Sequence, residues 1–127
     1  MGNYLNQHIR SYKDFPKKGI IFKDLLPILL DTAIFEKLII NMSKKNIFND
    51  CEAIIAIESR GFIFGTALAL QLSKPLILAR KPNKLPGELI ERSYKLEYGE
   101  NKLTIQKSSI SPYKYFAIVD DLLATGG

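Results

Sequence analysis

The sequence is poor in the residues that build cross-links and metal clusters. Its 127 residues include one cysteine, Cys51, one histidine, His8, and no tryptophan. A lone cysteine excludes an internal disulfide framework and a zinc site of several cysteines, and a lone histidine excludes a multi-histidine metal site. No apolar run reaches the roughly 18 residues that cross a bilayer, and the first residues do not resemble a secretory signal. We therefore expect a reduced, cytoplasmic setting and no membrane partner.

Positive charge is in excess but is not concentrated. The 18 Lys and Arg residues outnumber the 13 Asp and Glu residues, which gives a formal net charge of +5. Such an excess suits nucleic acid, a membrane surface or a small polyanion. The basic residues are scattered and form no long run, so the sequence does not indicate a nucleic-acid-binding arm. Much of this charge is expected on a solvated face, and the remaining basic residues matter only where they converge on a ligand.

Three short apolar runs predict the strands of a buried parallel sheet. They are residues 53–57, 76–79 and 116–119. Continuous apolar runs of this length are typical of strands covered on both faces. A helical pattern over residues 62–73 joins the first two runs, which predicts a right-handed crossover. The sequence thus predicts an α/β fold with a mostly parallel open sheet flanked by helices.

The remaining segments have weaker patterns. We predict a short helix over residues 3–9, an irregular stretch punctuated by Pro16, Gly19 and Pro27, and a helix from Asp31 or Thr32 to about Lys45. We also predict a loop over residues 82–88 and a projecting hairpin that turns at residues 99–101. No linker or repeat divides the chain, so one unit is expected.

Polar residues follow each predicted strand. The three strand ends read Glu58-Ser59-Arg60, Arg80-Lys81 and Asp120-Asp121. Carboxyl ends of parallel strands share one rim, which is where open α/β sheets bind ligands. After Asp121 comes a loop of small residues whose glycines let backbone N–H groups cradle a phosphate. Paired carboxylates beside such a loop suit the hydroxyls and the 5′-phosphate of a sugar phosphate.

The string over residues 119–127 resembles the phosphoribosyl-diphosphate motif of type I phosphoribosyltransferases. Its Leu-Leu-Ala-Thr-Gly-Gly version is similar to the branch that acts on adenine. Further stretches agree in order and spacing, namely residues 14–16 with 19–24, 58–65, 80–87 and 93–99. The resemblance implies one domain over residues 1–127, with an N-terminal hood over 1–30 and a mobile β-hairpin lid over 82–105. Family members continue beyond Gly127, so we expect the chain to be C-terminally truncated.

The resemblance implies a role for each motif that binds phosphoribosyl diphosphate. Asp120 and Asp121 would hold the ribose hydroxyls, and Ser59 and Arg60 would form the pyrophosphate loop, with Arg60 on the leaving group. In the family, the peptide bond at this loop is typically cis without a proline. The 5′-phosphate would be wrapped by Ala124, Thr125, Gly126 and Gly127, and Lys81 and Lys84 would flank the diphosphate.

The base site and catalytic carboxylate are also implied by the resemblance. Glu97 matches the family's catalytic carboxylate near the imidazole nitrogens of the purine. Phe22 would stack on one face of the adenine and Leu122 would cover the other. Backbone groups of Ile21 and Lys23 would read the adenine edge. Lys23 stands where an arginine is usual, so the bidentate geometry of a guanidinium is lost there.

The implied activity is purine salvage, in which adenine and 5-phosphoribosyl 1-diphosphate give AMP and diphosphate. Mg²⁺ would be chelated by the diphosphate and sugar oxygens, with Asp120 and Asp121 as candidate protein ligands, and the protein would be a homodimer. Three alternatives stay open. They are a transferase for guanine, hypoxanthine or xanthine, a module that senses phosphoribosyl diphosphate without catalysis, and an inactive fragment.

Overall fold

The structure is a computed structural model that describes residues 3–96 and 99–121. It forms two compact units, one ending at Met42 and one beginning at Ser43. Each unit is described separately below. Within the described residues, no helix combines the length and apolar character that crossing a membrane requires.

The first unit is mostly helical with one small hairpin. A 3₁₀ helix at Asn3–His8 is followed by β1 (Arg10–Lys13), β2 (Ile21–Asp24), α1 (Leu26–Leu30) and α2 (Thr32–Ser43). Asp31 caps α2, since its Oδ1 accepts the N–H groups of Ala33 and Ile34 at 3.1 and 3.2 Å. The predicted cap is therefore confirmed, and α2 ends slightly before the predicted Lys45.

The prediction of an irregular stretch ahead of α2 is wrong, because the antiparallel hairpin β1–β2 and the short helix α1 occupy much of it. The punctuating residues fall between or at the ends of these elements. Gly19 has φ +88° and donates its N–H to Asp14 Oδ1 at 2.8 Å in the connection between the strands. Pro27 lies in the first turn of α1, where its missing N–H has no helical partner to lose. Strands of four residues are also too short to display a clear alternation.

The second unit is built on the predicted parallel sheet. Its strands are β3 (Ala53–Ile57), β4 (Leu76–Ala79) and β7 (Phe116–Val119), in the order β4-β3-β7. The register pairs Ile54 with Leu76 on one side and with Ala117 on the other. Helix α3 (Gly61–Leu72) makes the connection from β3 to β4. The α/β fold and its parallel sheet are thus confirmed.

Both faces of the central strand β3 are covered. On one face α3 lies close to β3, since a Cβ added at Gly65 would be 2.5 Å from the Cβ of Ala56. The other face carries a cluster of four buried residues, Ala53, Ile55, Ile77 and Ala79. Side chains from later in the chain pack against that cluster, namely Ile105, Ile110, Tyr113 and Phe116. Burial on both faces explains why β3 reads as a continuous apolar run.

The hairpin consists of β5 (Leu89–Leu96) and β6 (Gly99–Gln106). The predicted turn at residues 99–101 is wrong, because the register pairs Gly99 with Leu96 and Asn101 with Tyr94. This register places residues 99–101 inside β6. The short helix α4 (Lys107–Ile110) follows and was not predicted, since four residues show no helical period.

Candidate active site

The three parallel strands bring their following residues to one edge of the sheet. Glu58 follows β3, Arg80 follows β4 and Asp120 follows β7. This is the rim predicted from the sequence, and the polar strand ends do meet there. The carboxyl edge of such a sheet is the general place for ligand binding in open α/β folds.

The chain leaves β3 through a turn that leads directly into α3. The peptide bond between Glu58 and Ser59 is cis, as the resemblance implied. The carbonyls of Ser59 and Arg60 accept the N–H groups of Phe62 and Ile63 at 3.2 and 3.1 Å. Arg60 therefore stands at the start of α3, where the positive end of the helix dipole favours an anion.

Arg60 pairs with Asp121, the second of the two aspartates that follow β7. Its Nε donates to Asp121 Oδ2 at 2.8 Å, and the side chain of Asp121 is only 10% exposed while that of Arg60 is 42% exposed. Asp120 Oδ1 accepts the N–H of Asp121 at 2.8 Å. A guanidinium and two carboxylates therefore converge on one point of the rim, and part of the guanidinium remains accessible.

The surroundings of Asp120 disfavour the ionised form of its carboxyl group. Burial raises the pKa of the Asp120 carboxyl above its ordinary value, and the neighbouring Asp121 carboxylate adds to the increase. The N–H of Asp121 and the charge of Arg60 act in the opposite direction. Two crowded carboxylates of this kind gain from a ligand that donates hydroxyl hydrogen bonds or brings a cation.

Gly61 allows α3 to approach Asp120 closely. A Cβ added at Gly61 would lie 2.9 Å from the carbonyl oxygen of Val119 and 3.1 Å from Asp120 Oδ1. No other residue type leaves this space free, so Gly61 lets Arg60 stand beside the aspartates. Sequence analysis gave this residue no role, although a glycine at the first position of a helix next to Arg60 was the available signal.

The second part of the rim lies between β3 and β4. Glu58 Oε1 accepts a hydrogen bond from Arg80 Nε at 3.1 Å and one from the N–H of Lys81 at 3.2 Å. Lys81 and Lys84, the predicted diphosphate-flanking lysines, are both exposed. Sequence analysis did not identify the Glu58–Arg80 pair. The pair could have been predicted from the opposite charges of two residues that follow adjacent parallel strands.

The predicted adenine-binding residues of the first unit lie together in β2. Ile21 is 60% exposed. The half-buried Phe22 ring meets the Phe15 ring edge-on, with centroids 5.1 Å apart. Lys23 Nζ donates to Ser11 Oγ, on its cross-strand partner, at 2.8 Å. The ammonium group of Lys23 is therefore directed across the hairpin, toward Ser11 of β1.

Several predicted site residues lie outside the described residues. They are Glu97, Leu122, Ala124, Thr125, Gly126 and Gly127. Their assigned roles stay predictions.

The rim suits a hard cation that is held mainly by its substrate. Asp120 and Asp121 supply carboxylate oxygens, the donor type that Mg²⁺ prefers. Within residues 3–96 and 99–121, no group of three or more His, Cys, Asp or Glu side chains is arranged to hold a metal ion. Two carboxylates without a closed cage fit an ion that keeps waters and substrate oxygens as its other ligands.

Comparison with known proteins places the chain in a family. No protein-family model matches the sequence. The chain is 61% identical over 127 residues to the adenine phosphoribosyltransferase of Prochlorococcus marinus strain MIT 9211, covering 100% of this chain and 74% of that protein. The crystal structure of the adenine phosphoribosyltransferase from Thermoanaerobacter pseudethanolicus has a TM-score of 0.89 and 43% identity, covering 98% of this chain and 72% of that one.

A second crystal structure agrees. The Saccharomyces cerevisiae adenine phosphoribosyltransferase, complexed with an imino-altritol bisphosphate and adenine, has a TM-score of 0.88 and 40% identity, over 98% of this chain and 73% of that one. Agreement of this extent in both sequence and backbone confirms the type I phosphoribosyltransferase-like fold that the resemblance implied. The chain therefore belongs to the adenine phosphoribosyltransferases, a family of glycosyltransferase enzymes.

Proposed function

We propose that this chain transfers the phosphoribosyl group of 5-phosphoribosyl 1-diphosphate to adenine, giving AMP and diphosphate in purine salvage. The observation that carries this proposal is the Arg60–Asp121 ion pair at the carboxyl edge of the sheet, with Asp120 bonded to the Asp121 N–H beside it. A guanidinium beside two carboxylates serves a substrate that has a diphosphate next to sugar hydroxyls. Family membership supports adenine over the other purines and over a sensor without catalysis.

The rim residues act mainly by binding and orienting the activated sugar. Asp120 and Asp121 accept hydrogen bonds from the ribose 2′- and 3′-hydroxyls. Arg60, at the positive end of the α3 dipole, receives the diphosphate. The Arg60–Asp121 ion pair, at 2.8 Å, holds both side chains near their working positions before the substrate arrives. Groups that are fixed in advance need little rearrangement when charge develops.

During the transfer, the bond between C1′ and the diphosphate oxygen breaks while a bond forms between C1′ and the adenine nitrogen. The diphosphate leaves with the electron pair, next to Arg60. Adenine loses a ring proton, and we assign Glu97 to accept or stabilise that proton at the imidazole nitrogens. Ser59, Lys81, Lys84 and residues 124–127 complete the cradle for the phosphates in this proposal.

We assign adenine to the edge of β2. Among the described residues of the first unit, β1 is the strand neighbour of β2, and in this proposal the base lies along the edge of β2 away from β1. The backbone of Ile21 and Lys23 would read the adenine edge, with Phe22 and Leu122 against its two faces. Because Lys23 Nζ is bonded to Ser11 Oγ, base recognition in this proposal depends on the backbone.

We also propose that the substrate binds with Mg²⁺, for which Asp120 and Asp121 are the candidate protein ligands. The ion supplies neutralisation of the leaving diphosphate. Removing divalent cations with a chelator should stop AMP formation, and adding Mg²⁺ back should restore it. Full activity in the chelator would contradict this assignment.

The assay that tests the main proposal measures AMP and diphosphate after adenine and phosphoribosyl diphosphate are mixed with the chain and Mg²⁺. We expect the two products in equal amounts and none when either substrate is omitted. The variant Glu97→Gln should lower kcat by about 10²–10⁴-fold, the usual contribution of a proton-transferring group.

Other outcomes would favour the alternatives. Faster turnover with hypoxanthine, guanine or xanthine would indicate a sister transferase. Binding of phosphoribosyl diphosphate without any product would indicate a sensing module. Neither binding nor turnover would indicate an inactive chain.

We propose a homodimer in the cytoplasm. Apolar side chains remain exposed in the second unit, where Leu70 is 78% and Ile118 is 65% exposed, and such residues favour association. The free, buried Cys51 suits a reducing compartment. Light scattering should give twice the 14.4 kDa of one chain, and a monomer at micromolar concentration would contradict the dimer.

A further inference from the structure

We infer that Glu58 and Thr104 position the Arg80–Lys81 segment for diphosphate binding, from opposite sides of that segment. Neither residue has a role in the reaction described above. The inference rests on the proposed function, because that function is what gives Lys81 and the Ser59–Arg60 loop their ligand. The two residues are called the Arg80 clamp below.

Glu58 holds the segment from the side of β3. One carboxylate oxygen, Oε1, accepts from both Arg80 Nε and the Lys81 N–H, at 3.1 and 3.2 Å. The Glu58 N–H donates to the carbonyl of Ala79 at 3.0 Å. Glu58 therefore bonds to three consecutive residues at the end of β4, namely Ala79, Arg80 and Lys81. These bonds lie directly before the Ser59–Arg60 turn, which begins at the residue after Glu58.

The charge state of Glu58 suits this contact. Burial raises the pKa of the Glu58 carboxyl, but the Lys81 N–H and the Arg80 guanidinium outweigh that effect and bring the pKa below its ordinary value. The carboxylate is therefore ionised at neutral pH. The Arg80 guanidinium also lies 6.0 Å from the centre of the Phe62 ring, in the first turn of α3. Arg80 therefore spans between Glu58 and α3, while Lys81 stays exposed to solvent.

Thr104 holds the segment from the side of the hairpin. The N–H and carbonyl of Thr104 pair with the carbonyl and N–H of Arg80 at 2.7 and 2.9 Å, which forms a single bridge between the hairpin and the end of β4. The Thr104 hydroxyl adds a third bond, donated to the Arg80 carbonyl at 2.9 Å. Thr104 is 1% exposed and is the one polar side chain among the buried residues of the described chain.

A hydroxyl at this position is informative because valine has nearly the same shape. An apolar site of this burial would accept valine, so the hydroxyl serves its bond to Arg80 rather than the packing. Together, Glu58 and Thr104 fix the side chain of Arg80, its carbonyl and the next N–H. The segment then has little freedom, and Lys81 leaves the sheet in one direction.

Three variants test the Arg80 clamp in the full chain. Thr104→Val removes only the hydroxyl, Thr104→Ser keeps it, and Glu58→Gln keeps an acceptor for Lys81 but loses the charge that faces Arg80. We expect Thr104→Val and Glu58→Gln each to raise KM for phosphoribosyl diphosphate by about three- to tenfold, the range for loss of one hydrogen bond, with little change in kcat. Thr104→Ser should stay near the wild type.

Glu52→Gln is the matched control. Glu52 precedes β3 as Glu58 follows it, and its Oε1 accepts the N–H groups of Lys114 and Tyr115 at 2.8 and 3.1 Å, at the opposite end of the sheet. This variant should leave KM unchanged whatever it does to the melting temperature. A purely structural role for the clamp residues would lower the melting temperature of the Thr104→Val and Glu58→Gln variants with KM unchanged, and that result would overturn the inference.

Calorimetric titration with inorganic diphosphate and Mg²⁺ separates this inference from the proposed function. The dissociation constant should rise in Thr104→Val and Glu58→Gln by the same factor as KM. Wild-type AMP formation with equal KM in all variants would reject the clamp alone. If the wild type makes no AMP, the proposed function fails, and the titration still decides the clamp. Equal dissociation constants for the wild type and the clamp variants would reject the clamp, and so would a wild type that does not bind diphosphate.

Discussion

Replacing Arg60 by glutamine should lower kcat/KM for AMP formation by about 10²–10³-fold, the loss measured when one preorganised donor to a developing negative charge is removed. Arg60 Nε lies 2.8 Å from Asp121 Oδ2 and the side chain is 42% exposed, so it is both oriented and reachable by a ligand. Glutamine keeps much of the length but has neither the charge nor the fork of donors. Steady-state kinetics with phosphoribosyl diphosphate as the varied substrate would measure the loss.

Two further variants separate charge from geometry at this position. Arg60→Lys keeps the charge and loses the planar fork, so its kcat/KM should fall between those of the wild type and Arg60→Gln. Lys44→Gln removes one positive charge from an exposed position beyond α2 and should behave as the wild type. Equal losses for Lys44→Gln and Arg60→Gln would mean that overall charge, not a specific contact, attracts the substrate.

The parts of the fold that could be predicted from sequence are those with a long, uninterrupted signal. Residues 53–57 form a strand buried on both sides, and such a strand needs apolar residues at every position. The hairpin β1–β2 gave no such signal, because it is exposed and each strand has four residues. Its turn residues were visible, but they mark the place of a connection and not the elements that it connects.

The same division applies to the candidate site. That Arg60 and Asp121 lie on one rim followed from the parallel arrangement of the strands, since residues after parallel strands share one edge of the sheet. The contact between Thr104 and Arg80 could not be predicted, because it depends on where a hairpin distant in sequence returns to the sheet. The role of Gly61 depends on an interatomic distance of 2.9 Å, which no local pattern encodes.

Gly61→Ala should lower kcat/KM for AMP formation more strongly than it lowers the free energy of unfolding. The added Cβ would lie 2.9 Å from the Val119 carbonyl oxygen and 3.2 Å from the Cα of Asp120, so α3 and the end of β7 must separate. That movement carries Asp120 away from Arg60, and a displacement of ~1 Å in a substrate-positioning group lowers turnover by about 10²-fold. We expect a loss of that order or somewhat smaller in kcat/KM for AMP formation. Alanine is also the better helix former by up to about 1 kcal/mol, which offsets part of the destabilisation.

Gly65→Ala, one turn further along α3, is the matched comparison. Its Cβ would lie 2.5 Å from the Cβ of Ala56, inside the sheet–helix packing and away from the aspartates. Overpacking of this kind costs about 1–3 kcal/mol of unfolding free energy, and the protein that remains folded should keep its KM. Urea denaturation and steady-state kinetics on both variants measure the two effects. If the two substitutions lower stability and activity in the same proportion, α3 serves the site only as part of the core. If Gly61→Ala keeps the wild-type kcat/KM, the close approach of α3 to Asp120 is not required to position Arg60 and the aspartates.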